Sequence, residues 1–258
     1  MWVGVVSLFP DAFSALTAQG VVARAIEAGI LDVTFENPRA HAHDRHRTVD
    51  DRPYGGGPGM VMKVDPLLAA IEAVCERAPV PPRRLYLSPQ GRTLDQARVE
   101  ALAREEALVL VAGRYEGVDE RVIDCAVDEE ISLGDFVLTG GELPIMVVLD
   151  AVARHLPGVL GNAESASMES HRDGLLDCPH YTRPETAAGR TVPSALLSGD
   201  HEVTRRWRLK MALARTFERR PDLLVRRALS AEERELLKAY LAERATGAAA
   251  QHRESTHA

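Results

Sequence analysis

Apolar positions in the first two thirds of the chain switch between two periods. Short β-branched runs at 2–8, 30–35, 84–87, 108–111 and 127–132 predict strands. Between them, apolar residues spaced three and four apart predict helices over 11–28, 65–77, 93–104, 118–125 and 142–156. Several open after Asp, Thr or Pro, which suit helix N-termini. Strands alternating with helices in this way predict an α/β fold on a parallel sheet. Past residue 156 the pattern fades: residues 157–170, PGVLGNAESASMES, are small and polar and predict a mobile linker. From Asp200 onward the period is helical, with Leu209, Leu213 and Phe217 on one face and Arg205, Arg208, Arg215 and Arg219 on another. Residues 245–258 are Ala-rich and polar without an apolar face, so fraying or disorder is expected there.

Composition narrows the class. Hydrophobic residues at 45% and charged residues at 27% are ordinary for a globular protein. The N-terminal apolar run lacks a basic flank and stops at Pro10, and no run approaches the roughly 20 residues that span a bilayer. Neither a leader nor membrane insertion is expected. Cys75, Cys125 and Cys178 are odd in number and far apart, as expected of reduced thiols in a cytoplasmic protein. The net charge of −7 would argue against nucleic acid, but its distribution argues for it. Residues 205–227 hold nine Lys and Arg against Glu218 and Asp222, a local +7, so the rest carries −14. A basic helix in an acidic chain points to a polyanion such as RNA.

Four loops carry candidate chemistry. Residues 44–60 pack charge and glycine into a stretch too long for a mere connection. His41, His43 and His46 lie at its start, but no Cys and no second His pair completes a zinc set. Its glycines follow no strand and precede no Lys-Ser/Thr, which disfavours a nucleoside triphosphate. The other three glycine-bearing loops, 88–91, 113–117 and 133–141, each follow a predicted strand. Carboxyl ends of parallel strands form the ligand crevice of an open sheet, so these loops are either a cofactor cradle or ordinary turns.

Longer strings decide between the two. HDRHRTVDDRPYGGGPGM at 43–60, YLSPQGR at 86–92, GRYEGVDERVI at 113–123 and GDFVLTGGELP at 134–144 resemble the bacterial tRNA (guanine-37-N1)-methyltransferase family. So do GLLDCPHYTRPE at 174–185 and RRWRLK at 205–210, and the resemblance runs from Met1 to about Pro221. It implies an α/β parallel sheet with a deep C-terminal trefoil knot of the SPOUT type, plus a small all-α C-terminal domain. The implied division is a catalytic domain at 1–160, a mobile linker at 161–176, a helical tRNA-binding domain at 177–246 and a disordered tail at 247–258. Periodicity alone would have predicted an ordinary doubly wound sheet, because knots are close to absent among folds.

The resemblance further implies methylation of guanine N1 at position 37 of tRNA by S-adenosylmethionine, in a homodimer with its active site at the subunit interface. The cofactor falls to Tyr86, Leu87, Ser88 and Pro89, to Gly113, Tyr115, Glu116 and Gly117, and to Ser132, Leu133, Gly134, Asp135, Phe136, Val137, Leu138, Gly140 and Gly141, with Pro144 on the same wall. The anticodon stem-loop falls to Arg45, His46, Arg47, Asp50, Arg52 and Gly59, to Ser165, and to Arg205, Arg206, Arg208, Lys210 and Arg215. Guanine N1 must lose a proton to attack the methyl, and the family base is an Asp. The ungapped register puts Glu169 there, with Glu164 and Asp173 as understudies. This departure motivates the alternative of a catalytically impaired RNA-binding protein of the same fold. Arg154 matches the arginine that steadies charge on guanine O6, although a surface pair with Asp150 explains it equally well. Glu116 matches a residue that holds the cofactor's amino group or the base. Mg²⁺ is a candidate assisting ion, held by substrate and one or two carboxylates.

Overall fold

The computed structural model describes residues 1–161 and 169–254. The chain divides into two compact units, Met1–Ala166 and Ser167–Ala258, and the division falls inside the stretch expected to be linker.

The first unit carries a five-stranded parallel sheet. In chain order its elements are β1 (Trp2–Val6), a 3-10 turn (Pro10–Phe13), α1 (Ser14–Thr17), α2 (Gly20–Glu27), β2 (Asp32–Glu36), and a second 3-10 turn (Pro38–His41). Then come the short strands β3 (Asp50–Asp51) and β4 (Val61–Met62), α3 (Val64–Cys75), β5 (Arg83–Thr93), α4 (Gln96–Leu102) and β6 (Ala107–Ala112). The unit ends with α5 (Glu120–Ala126), β7 (Glu129–Ser132) and α6 (Glu142–Ala153). The sheet order β2-β1-β6-β5-β7 puts β6, β5 and β7 side by side, so residues 88–91 within β5 and the loops that follow β6 and β7 lie at the same end of the sheet.

Both faces of the sheet are covered, which is why its central strands are apolar throughout. Alternate residues go to opposite layers: Val3, Val5, Leu108 and Leu110 pack with α2, α4 and α6. Trp2, Val6, Val109 and Val111 pack with α3 and α5. Gly4 lies on the second face by the same alternation, and a Cβ there would press on Val74 Cγ2 at 2.5 Å and the Trp2 ring at 2.6 Å.

The structure corrects several sequence expectations. The helix expected at 11–28 is broken, because Gln19 is extended and Gly20 takes φ +81°, a conformation that apolar spacing does not reveal. The helix expected from Thr93 begins at Gln96, where the Asp95 carboxylate accepts from the Arg98 amide. The strand expected to end at 87 runs on to Thr93, with an excursion. Leu87 and Arg92 both pair with Ile131, so residues 88–91 loop out of the sheet and the chain then rejoins it.

In the second unit a two-stranded hairpin, β8 (Thr186–Ala187) and β9 (Arg190–Thr191), precedes α7 (Ser194–Leu197), α8 (His201–Arg219), α9 (Pro221–Val225) and α10 (Ala231–Glu254). Residues 162–168 of the expected linker lie outside the described residues. Its remainder is tied down: the His171 amide donates to Leu175 O at 2.7 Å and the Leu176 amide to Thr216 Oγ1 at 2.9 Å. On α8, Leu213, Ala214 and Thr216 are buried, whereas Phe217 stands at the exposed edge of the expected apolar face. The tail expected to be disordered from 247 is helical through Glu254, consistent with the high helix propensity of alanine; residues 255–258 lie outside the described ones.

Candidate active site

At the carboxyl ends of β5, β6 and β7 the three loops close around a cleft of about 190 Å³. Its walls come from Tyr86 to Gln90, Gly113 to Val118, Ser132 and Leu133, and Phe136 to Gly141, with Pro144 from α6. Of the residues expected at the cofactor, only Gly134 and Asp135 stand outside the lining. They form the tight turn of the third loop: Gly134 takes φ +151°, its amide donates to Ser132 Oγ at 3.1 Å, and its carbonyl accepts from that hydroxyl. The turn sends 136–140 back over the cleft.

Backbone approach builds this cleft, and two glycines are required for it. A Cβ on Gly141 would lie 2.6 Å from Ala112 Cα, and the Gly141 amide donates to Gly113 O at 2.8 Å. A Cβ on Gly91 would meet the Glu130 carbonyl carbon and the Ile131 nitrogen at 2.5 Å. Tyr115 takes φ +62° without being glycine, and backbone strain of this kind collects at functional sites.

Tyr86 forms part of the cleft wall. The residue is buried, and its hydroxyl lies 2.6 Å from where a Cβ on Gly113 would sit. Burial first, then Glu130 and Glu120, push the phenol up to about 12, against a backbone hydrogen bond from Val118. The phenol therefore stays neutral in the physiological range and acts as a spacer between the first two loops.

Sequence reasoning missed the anchor of the third loop. Arg114 spans the loops: its Nη1 donates to Thr139 O at 3.3 Å and its guanidinium carbon lies 4.5 Å from the Phe9 ring centroid. Arg114 Nε sits 2.9 Å from Glu142 Oε2, an ion pair without hydrogen-bond alignment. Glu142 is 3% exposed in the first turn of α6 and accepts from Ser7 Oγ at 2.8 Å. A glutamate set directly after the glycine pair of the string at 134–144 was the available signal. The lining residues Glu120 and Glu130 were also missed. Glu130 lies in a predicted strand, and a charged residue there is a sign of a face turned to a ligand or solvent.

The long loop joins the same structure. β3 pairs antiparallel with β4, leaving residues 52–60 as the hairpin tip, where Tyr54 is 99% exposed. The loop then docks on the second cleft loop: the Glu116 amide donates to Met60 O and the Met62 amide to Gly117 O, both at 2.9 Å. Gly59 leaves no room for a Cβ beside the Glu116 side chain. Arg45, His46, Arg47 and Arg52 are exposed, and Asp50 is half-buried in β3.

The remaining expected residues fall elsewhere. Arg154, half-buried, caps the end of α6, where its amide donates to Asp150 O at 3.3 Å. Glu169 is exposed in the second unit, and Ser165 and Glu164 lie outside the described residues. On α8, Arg205, Arg206 and Lys210 pair with Glu232, Glu235 and Glu243 of α10. Arg208 and Arg215 hold no salt bridge among the described residues. No described helix is long and apolar enough to cross a membrane.

Comparison with known proteins matches nearly the whole chain. The family model for tRNA (Guanine-1)-methyltransferase TrmD matches residues 1–226. A tRNA (guanine-N(1)-)-methyltransferase of Chromohalobacter salexigens is 60% identical over 252 residues, covering 95% of this chain and 94% of that protein. Proteins of the same name are 59% identical in Pseudoalteromonas atlantica, over 93% of this chain and 90% of theirs, and in Pseudomonas aeruginosa, over 95% and 97%. With the family model spanning both units and relatives matched along nearly their whole length, the chain belongs to the tRNA (guanine-1)-methyltransferase family.

Proposed function

We propose that this protein methylates N1 of guanine in tRNA, at position 37 beside the anticodon, with S-adenosylmethionine as donor. The observation that carries the reading is the charge of the cleft. Its charged side chains are Glu116, Glu120 and Glu130 against Arg114, which is already paired with Glu142. A cleft with an excess of carboxylate repels phosphates and suits a small ligand bearing positive charge beside a flat heterocycle. Apolar Leu87, Leu138 and Pro144 supply contact for the heterocycle, and the glycine loops supply backbone amides and carbonyls for its edge. When bound, S-adenosylmethionine supplies an electrophilic methyl group.

The chain's own residues then handle the proton and the charge. Glu169 is the proposed base that takes the proton from guanine N1, which is worth about 100-fold to 10,000-fold in rate. Its extra methylene relative to Asp asks for a shift of under about 1.5 Å in the backbone that carries it. Arg154 is the proposed partner of guanine O6, where negative charge builds as N1 is deprotonated. Glu116, held by its amide to Met60, orients the cofactor's amino group or the base. Mg²⁺, where it assists, is held by substrate and one or two carboxylates.

Three finer readings complete the proposal. The excursion at 88–91 and the loop 133–141 belong to a deep trefoil knot, with the second unit as a tRNA-binding helical domain. The protein works as a homodimer: Val137 is 80% exposed, and Phe136, Leu138, Leu143 and Val147 are also exposed on the third loop and α6. An apolar patch of this kind suits a second copy. Three free thiols suit the cytoplasm.

The test is transfer of labelled methyl to an unmodified tRNA carrying guanine at 36 and 37, with nucleoside mapping. The expected product is 1-methylguanine at 37. Glu169→Gln is expected to lose about 100-fold or more of that rate while cofactor affinity holds. No transfer by the parent protein despite binding of both ligands would overturn the enzyme reading in favour of an impaired RNA-binding protein.

A further inference from the structure

Helix α8 carries its positive charge on two sides, and the two differ in what faces them. Toward α10 the cations are matched: Arg205 to Glu232 at 2.6 Å, Arg206 to Glu232 and Glu235 at 3.1 Å, and Lys210 to Glu243 at 2.6 Å. Toward segment 179–185 they are not. There Arg208, exposed and without a salt bridge among the described residues, enters a second cleft with His180, Tyr181 and Arg183. Leu196 and Leu197 form its apolar floor, and Glu185 is its single carboxylate.

Tyr181 is 50% exposed, yet it is held in place. Its ring meets Trp207 of α8 edge-on, with centroids 6.1 Å apart. The turn before it is locked by Asp177, whose carboxylate accepts from the Cys178 amide at 2.6 Å and contacts the His180 ring at 2.7 Å. A rigid, half-exposed aromatic ring beside two guanidinium groups fits one ligand chemistry well. A nucleotide of single-stranded RNA offers a flat base to stack and a phosphate to pair.

We propose that this cleft is a subsite for one unpaired nucleotide of the RNA substrate, with its base on Tyr181 and its phosphate on Arg208, beside Arg183. The proposal rests on the tRNA reading above and divides the basic residues of α8 by role. Arg208 contacts RNA, whereas Arg205, Arg206 and Lys210 hold α8 to α10.

The test uses the full-length protein, an unmodified tRNA transcript, fluorescence anisotropy across a salt series, and methyl transfer with tRNA varied. Tyr181→Ala is expected to weaken tRNA binding about tenfold, since stacking one base is worth ~1–3 kcal/mol. Tyr181→Phe keeps the ring and is expected to bind within about twofold of the parent. Arg208→Gln is expected to flatten the dependence of log K on log salt by about 0.7, one phosphate's share on a single strand. In Tyr181→Ala and Arg208→Gln the loss falls on KM for tRNA, while kcat at saturating tRNA and cofactor affinity hold. If the parent methylates tRNA and Tyr181→Ala and Arg208→Gln keep its affinity and salt slope, the subsite is wrong and the tRNA reading stands. If the parent neither binds nor methylates tRNA, both fall together.

Discussion

The cleft at the ends of β5, β6 and β7 is shaped by backbone, with Gly141 pressed on Ala112 and Gly91 on the Glu130–Ile131 peptide. The basic face of α8 is shaped by side-chain charge, and much of that charge is answered by glutamates of α10 some 30 residues later in the chain. A required glycine leaves a mark in the local string, because no other residue fits the position. A cation's availability leaves none, because its partner is chosen by tertiary packing. The first kind of site can be read residue by residue, and the second needs every ion pair to be accounted for.

The largest effect should come from filling the backbone contact. Gly141→Ala sets a methyl 2.6 Å from Ala112 Cα, where backbone on both sides must give way. Overpacking costs up to about 3 kcal/mol, and if the third loop absorbs it, affinity for S-adenosylmethionine falls about 100-fold. Calorimetric titration with the cofactor checks this. An unchanged affinity would break the backbone side of the comparison, since the loop would then be free to move without loss of the site.

An intermediate effect tests whether charge in the second unit is structural. Glu233 is buried at the start of α10. Burial acts to raise its carboxyl, but the Ser230 amide and Arg227 outweigh it and hold the group below its ordinary value of 4.5. A depressed carboxyl contributes stability that is complete above the ordinary value and is lost as pH falls through the folded one. Helical signal from the second unit should therefore weaken as pH drops below about 4.5. Glu233→Gln should lose about 2 kcal/mol at neutral pH, the scale of a hydrogen bond to a charged group, and lose less on further acidification. Circular dichroism melts from pH 7 to pH 3 separate the two outcomes. A variant as acid-sensitive as the parent would clear Glu233 of the role.

Legibility followed the same division. The parallel α/β sheet was readable because both periods are strong where elements bury a full face, as in residues 107–112 of β6. The three cleft loops were readable as strings, and the structure gathers them because sheet order places β6, β5 and β7 together, which no local pattern encodes. The break at Gly20 and the excursion at 88–91 were invisible to periodicity. One is a single positive φ, and the other depends on where a distant strand pairs. Arg114 stands inside the string GRYEGVDERVI at 113–123, but its role depends on Glu142, Thr139 and Phe9 meeting it in space.

The smallest effect is also the sharpest test of how charge on α8 is divided. Lys210 and Arg208 are two positions apart on one helix and would count alike in any tally of basic residues. Lys210 Nζ sits 2.6 Å from both Glu243 oxygens, and with Glu243 mostly exposed the pair is worth no more than about 1 kcal/mol. Lys210→Ala should lower the melting temperature by about 3 °C or less and leave the salt slope of tRNA binding unchanged. Removing the lysine also frees Glu243, so a modest loss of affinity with an unchanged slope would reflect the released carboxylate rather than a lost phosphate contact. A slope that flattens as much as in Arg208→Gln would mean that tRNA draws Lys210 away from α10 on binding. The ion pairs seen in the free protein would then be a store of charge for RNA, and the line drawn between Arg208 and its neighbours would disappear.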